Sequence, residues 1–231
     1  MSAYYKKRLF DLLITIPLII VTIPIQIIIY IIILIGLKEN PIFIQERGMT
    51  ISNFRFRIIK FRTIKSSQLK KVNPNLPKNN FLCSCVNFQF NKITGWLRRK
   101  GLDEIPQLYN ILFGQMSLVG PRPLMKQELL IMKNEYPDYN ERRNSFRSRP
   151  GLTGVWQIFG NRILGIKNLI ELDSFYEMNG SLKMDFKILL ITFLITTIVK
   201  KSHINFFRLI FSNKIIPNSV FQIANQSFSK I

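Results

Sequence analysis

The distribution of apolar and polar positions changes character several times along the chain. From Leu12 to Leu37 no side chain is charged, and this run is longer than the roughly 20 residues that cross a bilayer. A secretory signal would have a shorter apolar core and a small-residue cleavage site, so the segment is expected to be retained in the membrane. Pro17 and Pro24 each delete a backbone hydrogen bond and crowd the preceding turn, which predicts a bend near Pro24, close to the middle of the run. Basic residues flank it on both sides, Lys6, Lys7 and Arg8 before and Lys38, Arg47, Arg55 and Arg57 after. The positive-inside rule then places both ends in the cytoplasm, which predicts a re-entrant helix-break-helix, with a straight span as the alternative.

Beyond the membrane run, residues 40–65 read as a turn followed by short extended segments. From Asn53 to Arg62, apolar and basic residues partly alternate, the pattern of a strand with one face in a core and the other toward water or lipid phosphates. Arg55 and Arg57 on that outer face suit anionic lipid, at about 1 kcal/mol each. Residues 66–91 are polar and Asn-rich, with two prolines, and predict a surface loop. A helix is predicted to begin near Asp103, because Pro106 is comfortable only in a first turn; Ile105, Leu108, Tyr109 and Leu112 then form its apolar face. Leu124 to Asn140 suggest a helix and a connection. The basic run Arg142, Arg143, Arg147 and Arg149 has the default reading of a solvated face. Ile188 to Val199 is apolar but too short to cross a bilayer, so it suits either a core helix or an interfacial one.

The resulting fold class is α+β and mostly helical. It comprises a membrane-inserted segment at 1–40, a small cytosolic domain with amphipathic interfacial helices at 41–201, and a basic and apolar tail at 202–231 that includes Phe206, Phe207 and Phe211.

Charge adds the nature of the partner. With 33 basic against 13 acidic residues, the formal charge is +20, which implies a polyanion: nucleic acid, an anionic membrane surface or phosphorylated substrates. The only histidine is His203, so Ser-His and Cys-His catalysis is nearly excluded and acid-base work falls to carboxylates. Cys83 and Cys85 have no matching second pair and read as free cytosolic thiols rather than a zinc site. The stretch that stands out is Asp103-Glu104, preceded by Arg98, Arg99 and Lys100 and followed by the loop Gly120-Pro121-Arg122-Pro123. An acidic pair at a helix start has two readings, a helix cap or a nucleophile with a metal ligand for phosphoryl chemistry. The helix terminus and basic neighbours are expected to favour the ionised carboxylate.

The stretch Leu97 to Pro123, with its Leu-Asp-Glu-Ile-Pro-Gln-Leu-x-Asn and Met-Ser-Leu-Val-Gly-Pro-Arg-Pro segments, resembles the bacterial sugar transferases, monotopic phosphoglycosyl transferases that load polyprenol phosphate with a sugar phosphate. The similarity continues in Lys7-Arg8-Leu9-Phe10-Asp11, Gln45-Glu46-Arg47-Gly48, Lys60-Phe61-Arg62-Thr63, Arg149-Pro150-Gly151-Leu152-Thr153-Gly154 and Glu171-Leu172-Asp173-Ser174-Phe175-Tyr176, and covers about residues 5–200. The chain departs from the family pattern at Ile23 and Gly101, where Ser is usual, at Gln115, where Asp is usual, and at Asn161-Arg162, where the order is reversed.

The resemblance implies transfer of a sugar 1-phosphate from a UDP-sugar to undecaprenyl (polyprenol) phosphate, with release of UMP. The product would begin a surface glycan such as capsule, exopolysaccharide, O-antigen or a glycoprotein glycan. It implies Asp103 as the nucleophile that carries a covalent sugar-phosphate intermediate, Glu104 as the Mg²⁺ ligand, and Lys60, Arg62, Arg122, Arg149, Arg162, Asp173 and Asp185 as substrate-binding residues. The implied location is the cytoplasmic face of the bacterial inner membrane, in contact with anionic lipid and with no nucleic acid. Two alternatives remain at this point: a non-catalytic, membrane-anchored basic protein that binds anionic lipid or nucleic acid, and a family member that has lost activity.

Overall fold

In the computed structural model, which describes residues 3–69 and 92–197, the first apolar run forms one helix, α1 (Ala3–Leu37), with both prolines inside it. The helix-break-helix is thus not seen as an interruption at Pro24. Each proline removes one donor, but a chain that left the helix in apolar surroundings would orphan several more polar groups. Near Pro24 the Thr22 hydroxyl bonds back to the carbonyls of Leu18 and Ile19 at 2.6 and 3.2 Å and accepts from Gln26 Nε2 at 3.0 Å, an arrangement that favours bending. A narrow stripe of α1 is buried, made of Asp11, Thr15, Ile19, Gln26, Ile29, Ile33 and Leu37. The other faces expose Ile20, Val21, Ile27, Ile28 and Ile35, and Tyr4–Leu37 is long and apolar enough to cross a membrane. Cys83, Cys85, most of the predicted loop at 66–91, His203 and the tail from 202 onward lie outside the described residues.

The described residues divide into two units, one of 3–46, 56–69 and 92–115 and the other of 47–55 and 116–197. The first contains α1, most of β1 (Ile42–Gly48), β2 (Arg55–Phe61), α2 (Ser66–Leu69), α3 (Lys92–Arg99), a 3₁₀ turn at Leu102–Glu104 and α4 (Gln107–Leu112). The extended segments appear where alternation predicts them: Phe56, Ile58 and Phe61 are buried while Arg55 and Arg57 are exposed. Phe61 joins Ile29, Ile33 and Leu37 of α1 and Leu97 of α3 in one apolar core, with Ile42, Leu102 and Ile105 packed at its margin. The lower half of α1 is therefore part of the floor beneath the acidic turn.

The helix predicted to start near Asp103 begins later, at Gln107, with Pro106 as its N-cap and the 3₁₀ turn ahead of it. Of its predicted apolar face, only Leu108 is fully buried; Gln107, Asn110 and Ile111 are the other buried members, because this short helix is covered on more than one side. Asn110 explains part of that. Its Nδ2 donates to the Arg57 carbonyl at 2.7 Å and to Gln115 Oε1 at 2.6 Å, and its Oδ1 accepts from the Ile59 amide at 3.0 Å. A fully buried amide thus ties β2 to α4. Asn110→Ala should destabilise the protein by about 1–3 kcal/mol, since the strand's amide and carbonyl lose their partners out of reach of water, and a thermal melt in detergent would register it.

The second unit holds β3 (Ser117–Val119), β4 (Leu124–Met125), α5 (Lys126–Glu135), α6 (Pro137–Asn144), β5 (Gly151–Thr153), α7 (Val155–Phe159), a 3₁₀ turn at Arg162–Leu164, α8 (Gly165–Asn179) and α9 (Leu182–Thr197). The three-stranded sheet has the order β2-β1-β4, in which Arg47 and Gly48 pair antiparallel with Met125 and Leu124. β3 and β5 form a separate parallel pair, with Ser117 opposite Gly151 and Val119 opposite Thr153. The predicted helix and connection after Leu124 become α5 and α6. The apolar run at 188 onward is the second half of α9, which buries Met184, Asp185, Ile188 and Ile191 while exposing Phe186, Leu190 and Phe193. It packs in the core on one face and presents aromatic and aliphatic groups on the other.

Candidate active site

The acidic turn is shaped by the residue before it. α3 ends in Arg98 and Arg99, and Gly101 then adopts φ 69° and ψ 9°, a left-handed conformation in which a side chain would be strained. Glycine where the family usually has serine therefore suits this backbone. The chain leaves Gly101 directly into Leu102–Glu104. Neither that turn nor α4 has a side-chain cap, so Asp103 and Glu104 are not engaged in the capping that an acidic pair at a helix start would suggest. Asp103 is 7% exposed. Glu104 is more open, with its side chain 41% exposed, and its Oε1 lies 2.5 Å from the Lys60 ammonium. Asparagine 110 holds the strand that carries Lys60, so this pair is set by the β2–α4 tie.

Burial, followed by the neighbouring Glu104 charge, pushes the Asp103 carboxyl up from 3.8 to about 6; Lys60, Arg98 and the residue's own amide pull it down without prevailing. The expectation that basic neighbours would dominate is corrected here. Desolvation outweighs them because the carboxylate is enclosed while most of the cationic side chains remain hydrated. The consequence is measurable in stability. A carboxyl raised in the folded state opposes folding at pH above about 6, and that penalty is absent below the unfolded value of 3.8. In EDTA at pH 7.5, Asp103→Asn should therefore be more stable than wild type, by up to roughly 3 kcal/mol. The advantage should shrink as the pH falls from 6 toward 4, and melting curves that stay superimposed across that range would contradict the assignment.

Arg62, two residues beyond Lys60, is engaged by the protein itself. Its Nε donates to the Asn40 carbonyl at 2.7 Å, one terminal nitrogen donates to Ser66 Oγ at 2.9 Å and lies 3.6 Å from Glu39 Oε2, and the guanidinium covers the Phe43 ring. Glu39 is held below the usual carboxylate range, first by the Ser66 hydroxyl and amide and then by Arg62 and Lys65. Arg62 thus fastens the exit of α1 to the end of β2.

The second unit brings the Gly-Pro-Arg-Pro and Arg-Pro-Gly segments together. The Ser117 amide donates to the Pro150 carbonyl, the Gly120 amide to Thr153 and the Gly151 amide to Pro121, at 2.9–3.0 Å. A methyl group on Gly120 would collide with the Arg149 carbonyl, and one on Gly151 with the Gly120 amide. The Gly120 and Gly151 amides are therefore engaged by the neighbouring segment, and the missing side chains make room for backbone.

Arg122 follows at once, its guanidinium 4.8 Å from the centre of the Trp156 ring and its amide donating to Asp173 Oδ2 at 3.1 Å. Arg143 completes the arrangement: it donates to Asp173 Oδ2 at 2.7 Å, to the Met49 carbonyl at 2.8 Å and to the Arg122 carbonyl. Its side chain is completely buried, against the reading of the basic run as a solvated face. Burial pushes the Asp173 carboxyl up, while Arg143 and the Arg122 amide pull it down. Asp185 is also buried, 2.7 Å from the Tyr176 hydroxyl, which lies 3.1 Å from the Val119 carbonyl. Arg162 is exposed on its own 3₁₀ turn. Of the residues predicted for substrate binding, Arg122 and Asp173 thus meet directly, and Asp185 contacts the end of β3 through Tyr176. Arg143 was missed; its position in a basic run carried no local signal of burial.

Residues 2–199 match the family model described as bacterial sugar transferase. The chain is 35% identical over 187 residues to EpsL of Bacillus subtilis, an uncharacterized sugar transferase, covering 80% of this chain and 84% of that one. It is 32% identical over 192 residues to the exopolysaccharide production protein ExoY of Sinorhizobium fredii, covering 78% and 80%. To the undecaprenyl-phosphate galactose phosphotransferase of Salmonella typhimurium it is 30% identical over 197 residues, covering 81% of this chain and 40% of that protein. Against several such longer relatives the chain spans less than half their length. With the match running through both the acidic turn and the Gly-Pro-Arg-Pro segment, the chain belongs to the bacterial sugar transferase family.

Proposed function

We propose that the chain transfers a sugar 1-phosphate from a UDP-sugar to polyprenol phosphate at the cytoplasmic face of the membrane, in two displacements through Asp103. In the first, an Asp103 carboxylate oxygen bonds to the β-phosphorus of the donor as the bond from that phosphorus to the bridging oxygen breaks, and UMP departs with the electron pair. In the second, an oxygen of the lipid phosphate bonds to the same phosphorus and the acyl-phosphate bond breaks, which restores the carboxylate and yields polyprenol diphosphate-sugar. The observation that carries this reading is the enclosed Asp103 carboxyl, raised to about 6, beside the Glu104–Lys60 pair. A carboxylate that is poorly solvated yet largely ionised near neutrality is a reactive oxygen nucleophile, and still a competent leaving group in the second step.

Lys60 offers an ammonium to phosphate oxygens on which charge develops, and Arg122 and Arg149 are assigned the same role on the Gly-Pro-Arg-Pro and Arg-Pro-Gly segments. Asp173 and Asp185, buried and bonded to the protein's own groups, are assigned to holding those segments. Among the described residues no cluster of three His, Cys, Asp or Glu side chains could hold a metal ion. A single accessible carboxylate such as that of Glu104, 41% exposed, is the kind of ligand with which Mg²⁺ is commonly held together with substrate phosphates. Glu104 would hold it, and the ion would supply neutralisation of charge between carboxylate and diphosphate.

The re-entrant path of α1 belongs to the same proposal. Arg8, near one end of α1, bonds to Ile111 and Leu112, while Ile29, Ile33 and Leu37, at the other end, share a core with Leu102 and Ile105. Along a straight helix Arg8 and Ile33 would lie about 38 Å apart, whereas an 11-residue stretch wound as 102–112 is covers roughly 16 Å. Attachment of both ends to one short stretch favours a helix bent back on itself, with both termini on the basic, cytoplasmic side. An anchored, non-catalytic polycation finds no support, as it gives no role to the enclosed acidic turn. The experiment is to incubate membranes that contain the protein with a panel of UDP-sugars, Mg²⁺ and polyprenol phosphate and to measure released UMP; a panel that includes galactose and glucose donors without any release would reject the reading.

A further inference from the structure

We propose that Arg8 is a positioning residue that fixes Asp103 relative to the bilayer, and so governs the displacement that uses the lipid acceptor rather than the one that uses the soluble donor. The inference rests on the two-step reading above. Arg8 donates from its two terminal nitrogens to two adjacent carbonyls, Ile111 at 2.6 Å and Leu112 at 2.8 Å. These are the last carbonyls of α4, at the negative end of its dipole; the Ile111 carbonyl also accepts from the Gly114 amide at 2.9 Å, and Arg8 adds a charged donor to the pair. A planar guanidinium reaches both at once, which an ammonium cannot do with the same geometry. The neighbouring basic residues are placed differently: Lys7 pairs with Asp11 at 3.2 Å, and Lys6 is exposed.

α4 is continuous with the acidic turn, since the Leu108 amide donates to the Ile105 carbonyl and the Tyr109 amide to Pro106. A helix pinned at its last carbonyls therefore carries Asp103 with it. α1 takes its depth from its apolar length, and a polyprenol phosphate takes its depth from its own apolar chain, so the acceptor phosphate and α1 share one frame of reference. Arg8 ties the far end of α4 into that frame. A UDP-sugar arriving from solution has no fixed depth, and its capture does not depend on the tie.

The test separates the two displacements in wild type, Arg8→Ala, Arg8→Lys and the control Lys6→Ala, reconstituted in vesicles that contain anionic lipid. Without acceptor, rapid mixing with the UDP-sugar should give a UMP burst that differs by less than about twofold between wild type and the Arg8 variants. Addition of polyprenol phosphate should then reveal an acceptor step slowed at least about 10-fold in Arg8→Ala, with a raised KM for the acceptor, because small misplacement of reacting groups has effects of this size or larger. Arg8→Lys should recover to within about threefold of wild type, since it restores the charge at the carbonyls but not the fork. Should Arg8→Ala not reach the membrane, the Arg8→Lys comparison carries the test, as a selective slowing of the acceptor step is expected there too. Unchanged acceptor kinetics in the Arg8 variants, or a parallel loss in both steps, would overturn the proposal. An equal effect of Lys6→Ala would replace it by general attraction to anionic lipid. A wild-type enzyme that turns over without a burst would instead overturn the covalent reading itself, and this proposal with it.

Discussion

Asp103→Asn should lower UMP release by at least about 1000-fold with every donor that the wild-type protein accepts. The amide that replaces the carboxylate is neutral and a poor nucleophile toward phosphorus, so the first displacement has no attacking atom. Asp103→Glu should retain more activity, with a loss on the order of 100-fold, because the charge persists but the reacting oxygen moves by roughly one bond length. Wild-type protein incubated with donor alone should gain the mass of a sugar phosphate, and the Asn variant should not. These outcomes are sharpened by the stability measurement at the same position. If Asp103 is enclosed at a cost to the fold, the Asn variant is inactive and more heat-stable at once; loss of activity through misfolding would move both readouts in the same direction. Release undiminished in Asp103→Asn would remove the nucleophile from the proposal.

The features legible in the sequence are those encoded by neighbouring residues. The uncharged run ending at Leu37 determines α1, because its length and apolarity need no knowledge of the rest of the chain. Alternation at Phe56, Ile58 and Phe61 against Arg55 and Arg57 likewise determines β2. Asp103 and Glu104 are recognisable through the motif around them, and the pairing of Glu104 with Lys60 joins two motifs far apart in the chain. What the local pattern misses depends on distant partners. Arg143 sits among arginines and reads as solvated, yet its three acceptors come from Met49, Arg122 and Asp173. The raised Asp103 carboxyl is similarly hidden, since nearby positive charge is visible in sequence whereas enclosure is a property of the packed turn. Pro24 is a local signal of a different kind: it predicts a bend, and the helix nevertheless continues through it, because leaving the helix in apolar surroundings would orphan more backbone groups than the proline removes.

Arg143→Met should destabilise the protein by about 3–5 kcal/mol, because the Asp173 carboxylate would be left buried without its counter-ion. Asp173→Leu should cost a similar amount by stranding the guanidinium. The double variant Arg143→Met/Asp173→Leu should recover much of that loss, since apolar residues of comparable volume can replace a buried ion pair at little net cost. Activity should not recover with it. Asp173 also accepts the Arg122 amide, and Arg143 donates to the Arg122 carbonyl, so the pair grips both sides of the residue whose guanidinium lies over Trp156. Without that grip, Arg122 keeps its charge but loses its aim, and UMP release in the double variant should stay at least about 10-fold below wild type while its melting temperature approaches the wild-type value. Recovery of both would reduce the ion pair to a packing element. Recovery of stability alone would mean that the buried pair is kept for where it holds Arg122, which is why an arrangement so costly to desolvate is found in the core beside the Gly-Pro-Arg-Pro segment.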